Sequence, residues 1–369
     1  MPAFYPMQYH NRFGLGMGVT YSFLRERFGF NMGERFHRDM AYRIETCMEI
    51  DRSVYCVFKD IGIGFEEPFP RATVEPFGHG FIPIMYGCEC VYSEGQEPAV
   101  RNRDFDAGEI EALEPWTRKR FEESEAVREV ARQFRHVAEY ADTVKPLDLF
   151  GYNPHYQPLG SLQNLGSVIN NAHSIYGQDI FILYADNRKL LKKLYGNITD
   201  LMLHCLDYFP QMDGRRLSHV FVGDCTVSMI SPDQYRSCNL EFDRRLSQYA
   251  REAGARFLVH QDSGAAPHLE NFSELGCVHA FDLGQDTDFG KLGRLFPDAG
   301  VNCILFPAWL ESVSLQEIRS ELARIMEIGL SFSSFTFSMY HIDSRLAQGR
   351  IFEFYDIFKI CAEEISKTA

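Results

Sequence analysis

Short apolar runs alternate with amphipathic segments along the C-terminal part of the chain. Each run has the length and the β-branched or aromatic content of a buried strand. The predicted strands lie at 147–150, 217–222, 255–259, 278–283, 303–306 and 331–337. The predicted helices lie at 167–176, 186–205, 232–253, 269–275, 288–295, 314–328 and 352–365. Strands that alternate with helices of this length form a parallel sheet, so the pattern predicts an α/β fold built as one (β/α) barrel.

The first part of the chain lacks this alternation. We interpret residues 1–75 as an N-terminal extension that packs on a barrel formed by residues 76–369. The cluster Gly14–Gly18 follows no predicted strand and precedes no Lys-Ser/Thr pair, so it does not match a phosphate-binding loop. We expect a turn there, before a helix at 21–28. No long linker interrupts the later series, which favours one barrel over two domains.

The segment 222–264 is the most informative strand–helix–strand unit of the series. Ser231 is expected to be the N-cap of its helix, Pro232 the first helical residue, and Asp233 a favourable charge at the positive end of the helix dipole. Gly254 is expected to end the helix. The unit therefore predicts two parallel strands joined by a helix.

Polar side chains that can bind ligands or metals follow the predicted strands. These residues are Asp224, Cys225, His260, Asp262, Asp282, Asp286, Tyr340 and His341. The active sites of α/β barrels lie at the carboxyl ends of the strands. Because these ends meet at one edge of a parallel sheet, we expect the side chains to open onto one cavity. The sequence therefore predicts an enzyme.

The predicted catalytic residues are Asp224, His260 and Tyr340. Asp224 is expected to orient a substrate, or to act as a general acid or base if burial raises its pKa. An alternative is that Asp224 only caps the loop before Ser231. The predicted substrate-binding residues are Cys225, Asp282 and Asp286. Cys225 is not expected to be a nucleophile, because the sequence indicates no histidine base beside it.

The charge of the chain restricts its partners. The formal net charge is −14, whereas nucleic-acid binding needs basic surfaces that neutralise phosphates. The sequence has no apolar run long enough to span a membrane and no signal peptide at its start, so a cytoplasmic protein is expected. Its 10 cysteines are then expected to be reduced thiols.

Several motifs resemble those of the uroporphyrinogen decarboxylase superfamily. The resemblance is carried by GD followed by ISPDQYR at 223–236, by the strand that ends in His260, and by SELG at 273–276 before a strand with an Asp. Further matches are PLGSL at 158–162 and ILYADNRKLLKKLYGNITD at 182–200, within a similarity that covers most of residues 75–365. The fold of this superfamily is a distorted TIM-type barrel, in agreement with the alternation of strands and helices.

Within this superfamily the chain is closer to the cobamide-dependent methyltransferases than to the true decarboxylases. The decarboxylases carry an arginine-rich PxWxMRQAGR element that binds substrate carboxylates, and this sequence has nothing similar. Uroporphyrinogen is therefore not an expected substrate. The resemblance instead implies methyl transfer between a thiol and a partner corrinoid protein, which supplies methylcobamide.

The resemblance also implies a zinc site, and there the chain departs from the family pattern. The family uses a His-x-Cys pair after one strand and a Cys after the last strand, and zinc converts the acceptor thiol to a thiolate. Here the pair is His260-x-Asp262. We predict His341 as third ligand, ahead of Cys303. Such a set is expected to bind zinc less tightly, or another metal, or none. In the last case His260 and Asp262 would only hydrogen-bond the loop.

Three functions of different classes follow. The first is a corrinoid-linked methyltransferase of a demethylation system, with a corrinoid protein and a small methyl donor or acceptor as partners. The second is a cofactor-independent decarboxylase of a small or aromatic acid that uses Asp224 and His260 for protonation. The third is a non-catalytic barrel that has lost its metal. A homodimer is compatible with each.

Overall fold

The computed structural model describes residues 3–70, 73–102, 105–139, 165–212 and 217–368. Its strands are β1 (Ala3–Phe4), β2 (Gln8–His10), β3 (Phe13–Val19), β4 (Glu89–Val91), β5 (Ala99–Arg101), β6 (His219–Gly223), β7 (Arg256–Gln261), β8 (Ala280–Gly284), β9 (Gly300–Ile304) and β10 (Ser334–Ile342). Its α-helices are Tyr21–Phe28, Glu34–Arg38, Met40–Phe58, Phe81–Met85, Ala107–Glu111, Arg118–Glu123, Glu125–Glu139, Val168–Tyr176, Ile180–Asp186, Arg188–Met212, Pro232–Cys238, Leu240–Glu252, Leu269–Ser273, Phe289–Leu295, Pro307–Ser312, Leu315–Gly329 and Gln348–Thr368. Short 3-10 helices lie at Lys59–Ile61, Gly78–Gly80, Gly177–Asp179, Cys225–Met229 and Ala266–His268.

A largely parallel sheet forms the centre of the described structure. Strands β6 to β10 are parallel neighbours in chain order, and β3 extends the parallel part at β10. Strands β1 and β2 pair antiparallel with β3. The predicted α/β architecture is therefore confirmed. The pairings of the described strands follow an open path from β1 to β6, so closure into a TIM-type barrel stays a prediction. The strand predicted at 147–150 and the motif at 158–162 lie outside the described residues.

Five predicted strands correspond to β6–β10, each with shifted bounds, and the shifts change the position of candidate residues in two of them. Strand β9 begins at Gly300 rather than at 303, so Cys303 lies inside it and not at its end. Strand β10 continues to Ile342, so Tyr340 and His341 lie within the strand and do not follow it. The predicted strand ends too early because Ser338, Tyr340 and His341 interrupt the apolar run in the second half of β10.

The interpretation of Gly14–Gly18 as a turn was wrong. These residues belong to β3, which is buried along its length and pairs with β10. Leu15 and Met17 alternate with the glycines and are also buried. A Cβ on Gly14 would lie 2.6 Å from Cγ of Met7, so the glycine leaves room for that side chain. The N-terminal segment thus supplies a strand of the central sheet, although the division at residue 75 stays a prediction.

The two faces of the sheet differ in chemistry. One face, the apolar face, carries register partners such as Phe281 and Val301 and packs in the main hydrophobic core. Cys303 lies on this face between Leu283 and Phe337 and is fully buried. This position rules Cys303 out as a ligand in a site shared with His260, whose side chain lies on the opposite face, called the polar face below.

Local signals at the helix ends are confirmed where the chain is described. The Ser231 side chain accepts a hydrogen bond from the backbone N–H of Gln234, whose side chain accepts one from the Ser231 N–H in return. The helix predicted over 232–253 is nevertheless two helices that meet at Asn239. Its buried side chain accepts a 2.7 Å hydrogen bond from the Tyr184 hydroxyl. Among the helices of the described ranges, none is long and apolar enough to cross a membrane.

Candidate functional site

The register of the sheet places four polar residues side by side on the polar face. His260 pairs with Asp282, Asp282 with Asn302, and Asn302 with Thr336. Directly paired residues of neighbouring strands point to the same side of a sheet. Asp282, Asn302 and Thr336 are almost completely buried. His260, Asp282, Asn302 and Thr336 thus form a row across β7, β8, β9 and β10, which we call the polar row.

His260 lies at one end of this row, between two carboxylates. Its Nδ1 is 2.6 Å from Oδ2 of Asp282, and its Nε2 is 2.6 Å from Oδ1 of Asp262. Burial by itself would lower the pKa of His260, but the charge of Asp282 and the hydrogen bonds to Asp262 and Asp282 outweigh it and hold that pKa well above its usual range. The pKa of Asp262, which burial alone would raise, is lowered to about 2 by its hydrogen bond to His260. The group is therefore an imidazolium held between carboxylates.

Cys225 completes a cluster with these residues. Its thiol donates to Oδ2 of Asp262 at 3.3 Å. One ligating atom from each of Cys225, His260 and Asp262 lies within 4.8 Å of the others, so the three side chains can hold one metal ion. The backbone N–H of Asp224 donates to the carbonyl of His260 at 2.7 Å, and this bond fixes the ends of β6 and β7 together. The cluster thus depends on the pairing of two neighbouring parallel strands.

The third potential ligand differs from the predicted one. The structure groups Cys225, which we expected to bind substrate, with His260 and Asp262. His341 is exposed and is not among the residues whose ligating atoms converge there. Sequence spacing indicated no histidine beside Cys225, but strand pairing brings His260 next to it. These residues are 35 positions apart in the numbering (260 − 225), and only tertiary structure joins them.

The predicted substrate-binding carboxylates have different surroundings. Asp282 is buried and bonded to His260 and Asn302. Asp286 instead accepts a 3.0 Å hydrogen bond from the backbone N–H of Gly264, so it holds the loop that follows β7. In this structure Asp282 therefore orients His260, and Asp286 holds the loop after β7. Their direct contact with a substrate stays a prediction.

Asp224 lies beside the cluster, but its carboxyl group points into a buried group of helix residues. It is 2% exposed, hydrogen-bonds Ser167 and interacts with the charge of Asp243. Burial, reinforced by Asp243, raises the pKa of Asp224 well above its usual range. The structure thus puts Asp224 at the same end of the sheet as His260, as expected, without placing its carboxyl group in the cluster.

Tyr340 contacts the polar row from β10. Its hydroxyl accepts a 3.2 Å hydrogen bond from the Asn302 side chain, and its ring is 4% exposed. Ser338, two residues earlier on the same strand, accepts from Asn302 at 2.7 Å. Sequence reasoning missed Asn302 and Ser338. The signal was available, since Asn302 is a polar residue inside an apolar strand, and Thr336, Ser338 and Tyr340 alternate with apolar residues along β10.

Gly284 allows Asp262 to approach β8. A Cβ at Gly284 would lie 1.8 Å from the backbone oxygen of Asp262 and 2.8 Å from Oδ1 of Asp286. We therefore expect Gly284→Ala to push Asp262 away from His260 and to destabilise the fold by about 1–3 kcal/mol, because backbone cannot move as a flexible side chain can. Urea unfolding would measure the loss of stability. The matched variant Gly276→Ala, at a glycine with open space but φ +82°, separates conformational strain from crowding. Equal losses of stability in the two variants would contradict crowding of Gly284 against Asp262.

Comparisons with known proteins give a fold and no family. No family model matches the chain, and no curated protein is similar enough in sequence to count as a relative. Among solved structures, a methyltransferase from Methanosarcina mazei has a similar fold, with a TM-score of 0.57 at 11% sequence identity. The match covers 95% of this chain and 94% of that chain. At this identity the likeness shows a shared fold alone.

Proposed function

We propose that this protein is a methyltransferase whose reaction takes place at the cluster of Cys225, His260 and Asp262, with a metal ion bound there. The observation that carries the proposal is the convergence of a thiol, an imidazole and a carboxylate at the carboxyl ends of β6 and β7. This is the end of a parallel sheet at which α/β enzymes have their active sites. The whole-length likeness in fold to a methyltransferase supports the reaction class.

The residues present fit a zinc ion. Cysteine sulfur, histidine nitrogen and carboxylate oxygen are the usual protein ligands of zinc, and three protein ligands leave a position for a substrate. Asp282 occupies Nδ1 of His260, which leaves Nε2 as the ligating atom. A carboxylate behind a metal-binding histidine is the common second-layer arrangement. Since both Nε2 and Asp262 Oδ1 are ligating atoms, metal binding would replace the hydrogen bond between them.

The chemistry of such a site is activation of a nucleophile. A bound zinc ion lowers the pKa of a coordinated thiol, so that the thiolate exists at neutral pH and can accept a methyl group. Asp282 keeps the His260 ring in one orientation, and Asp286 holds the loop that carries Asp262 through Gly264. Tyr340 and Ser338 present hydroxyl groups to the polar row from β10. Together, Asp282, Asp286, Ser338 and Tyr340 would orient the side chains of His260 and Asp262 and limit their movement.

The methyl donor in this proposal is a corrinoid carried by a partner protein. It rests on the resemblance of 223–236 and 273–276 to the uroporphyrinogen decarboxylase superfamily, on the absence of the decarboxylases' arginine-rich element, and on the fold. In the transfer, the carbon–cobalt bond breaks, the thiolate supplies the electron pair of the new carbon–sulfur bond, and the cobalt keeps the electron pair of the broken bond. Free methylcobalamin with a small thiol is the simplest test reaction, because loss of the methyl group changes the corrinoid absorption spectrum.

Metal analysis of the purified protein tests the proposal most directly. We expect about one equivalent of zinc, and we expect Cys225→Ser to lower zinc affinity by at least about 10-fold, because the variant loses the only soft ligand of the cluster. Cys277→Ser is the matched control, since Cys277 is also half-buried but lies outside the cluster. Asp262→Cys is expected to tighten zinc binding. Equal zinc affinity of the Cys225→Ser and wild-type proteins would contradict the proposed ligand set.

One observation favours a second candidate function. His260 is held as an imidazolium between Asp262 and Asp282, and a decarboxylase without cofactor must deliver a proton to the carbanion it forms. Wild-type protein that binds no metal at micromolar concentration, but loses activity on an acid substrate when His260 is replaced, would favour this alternative. Protein with neither metal nor corrinoid-dependent activity would favour the non-catalytic barrel.

A further inference from the structure

Asn302 is fully buried in β9, and its side chain contacts four polar groups. Its amide nitrogen carries two hydrogens and lies within hydrogen-bond distance of three acceptors, which are Oδ1 of Asp282, the Ser338 hydroxyl at 2.7 Å and the Tyr340 hydroxyl at 3.2 Å. Its amide oxygen accepts from the Thr336 hydroxyl at 3.0 Å. A side chain with this many partners in a fully buried strand is held in one orientation.

The chemistry of the partners determines which way the amide points. The Asp282 carboxylate only accepts hydrogen bonds, so the amide nitrogen must face it. The Thr336 hydroxyl then donates to the amide oxygen. Because Oδ1 of Asp282 accepts a hydrogen bond from Asn302, Oδ2 is the oxygen that accepts the 2.6 Å hydrogen bond from Nδ1 of His260. Asn302 therefore orients the carboxylate of Asp282, and this carboxylate in turn orients the imidazole ring of His260.

We propose that Asn302 is the positioning residue of the cluster: through Asp282 it fixes the His260 ring so that Nε2 faces Cys225 and Asp262. The contacts of the polar row carry this inference. It deepens the proposed function by naming what determines which His260 nitrogen is presented to a metal or substrate. It does not depend on the metal, because the hydrogen bond between Asp282 and Nδ1 is present in the protein alone.

The register explains why this residue occupies the position. Asp282 and Asn302 are direct partners on β8 and β9, and Asn302 and Thr336 are direct partners on β9 and β10. An apolar residue at 302 would leave Oδ1 of Asp282 buried with one hydrogen bond fewer, and a buried carboxylate oxygen without a donor is unfavourable. Asp282 would then be free to rotate away from His260. A positioning role thus predicts an effect on the ring that loss of packing alone would not give.

Proton NMR of the purified protein tests this directly. A short hydrogen bond from imidazolium to carboxylate gives a far-downfield Nδ1–H resonance. If this resonance disappears in Asp282→Asn, it is assigned to Nδ1–H of His260. In Asn302→Leu we expect this resonance to move upfield and to exchange faster with water. Asn197→Leu, at a buried asparagine in helix Arg188–Met212 that bonds Tyr86 and Glu114, is the matched control and should leave the resonance unchanged. An unchanged resonance in folded Asn302→Leu protein overturns the proposal.

Zinc affinity adds a second readout. Asn302→Leu should lower it by about 10-fold, the usual effect of removing a residue that orients a ligand. In the Asp282→Asn background the same substitution should change affinity less than twofold, because the residue acts through Asp282. Equal effects in both backgrounds would overturn the proposed route. Wild-type protein without zinc would contradict the metal in the proposed function, while the resonance would still decide the role of Asn302.

Discussion

Replacing His260 with alanine should abolish the proposed metal binding and lower turnover of the proposed reaction by about 10²- to 10⁴-fold, the range for loss of a catalytic ligand or proton-transfer group. It should also lower the free energy of unfolding by about 3–5 kcal/mol, because Asp282, whose side chain is 4% exposed, loses the partner of its charge. The His260 side chain is 18% exposed, so it is a largely buried member of this pair and not a residue on an exposed rim.

A double variant separates the two effects. His260→Ala combined with Asp282→Asn removes the isolated charge, so stability should recover most of the loss while metal binding stays absent. Urea unfolding and metal titration of the wild-type, single and double variants would measure this. Recovery of metal binding in the double variant, or an unaltered stability in the single variant, would contradict the arrangement of His260 between two carboxylates.

Asp243 should contribute a stabilisation that is lost as the pH rises from about 4 to about 7. Its carboxyl group is buried in helix Leu240–Glu252, accepts a 2.7 Å hydrogen bond from Tyr235, and its charge acts on Asp224. Burial raises the pKa of Asp243 to about 7. Within the described ranges, Oδ1 of Asp224 and Oδ1 of Asp243 are buried without hydrogen-bond partners, which disfavours ionisation of both groups.

The sign follows from proton linkage. An unfolded aspartate loses its proton near pH 4, whereas folded Asp243 keeps it to about pH 7. The folded state therefore binds more protons between these values, and the stabilisation present below pH 4 is lost progressively as the pH rises to about 7. Asp243→Asn keeps an oxygen that can accept from Tyr235 but cannot ionise. We expect it to be more stable than wild type by about 2–4 kcal/mol at pH 8 and nearly equal to it at pH 4.

Urea unfolding of both proteins from pH 4 to pH 8.5 would measure this difference. The control is Asp233→Asn, at an exposed residue in the first turn of helix Pro232–Cys238, which should change stability only slightly. Stability curves of Asp243→Asn and wild type that run parallel over the whole pH range would show that Asp243 is ionised in the folded protein as it is in the unfolded chain.

The sequence by itself determined the types of the elements in the C-terminal part and the residues at the strand ends. Apolar periodicity predicted β6–β10, and capping residues such as Ser231 predicted where helices begin, because both signals act within a few residues. The same local signals failed at Gly14–Gly18. Glycine has a low strand propensity, and only the pairing of β3 with β10 and the space that Met7 fills make a strand favourable there.

The grouping of the candidate site was decided by tertiary structure. The sequence placed Cys225, His260 and Asp282 at strand ends, but whether two such residues touch depends on the register of neighbouring strands. That register is set by the packing of apolar residues across the whole sheet, and not by the polar residues at the strand ends. It brought Cys225 rather than His341 to His260 and Asp262. It also aligned Asn302 with Asp282, since directly paired residues of neighbouring strands point to the same face of the sheet.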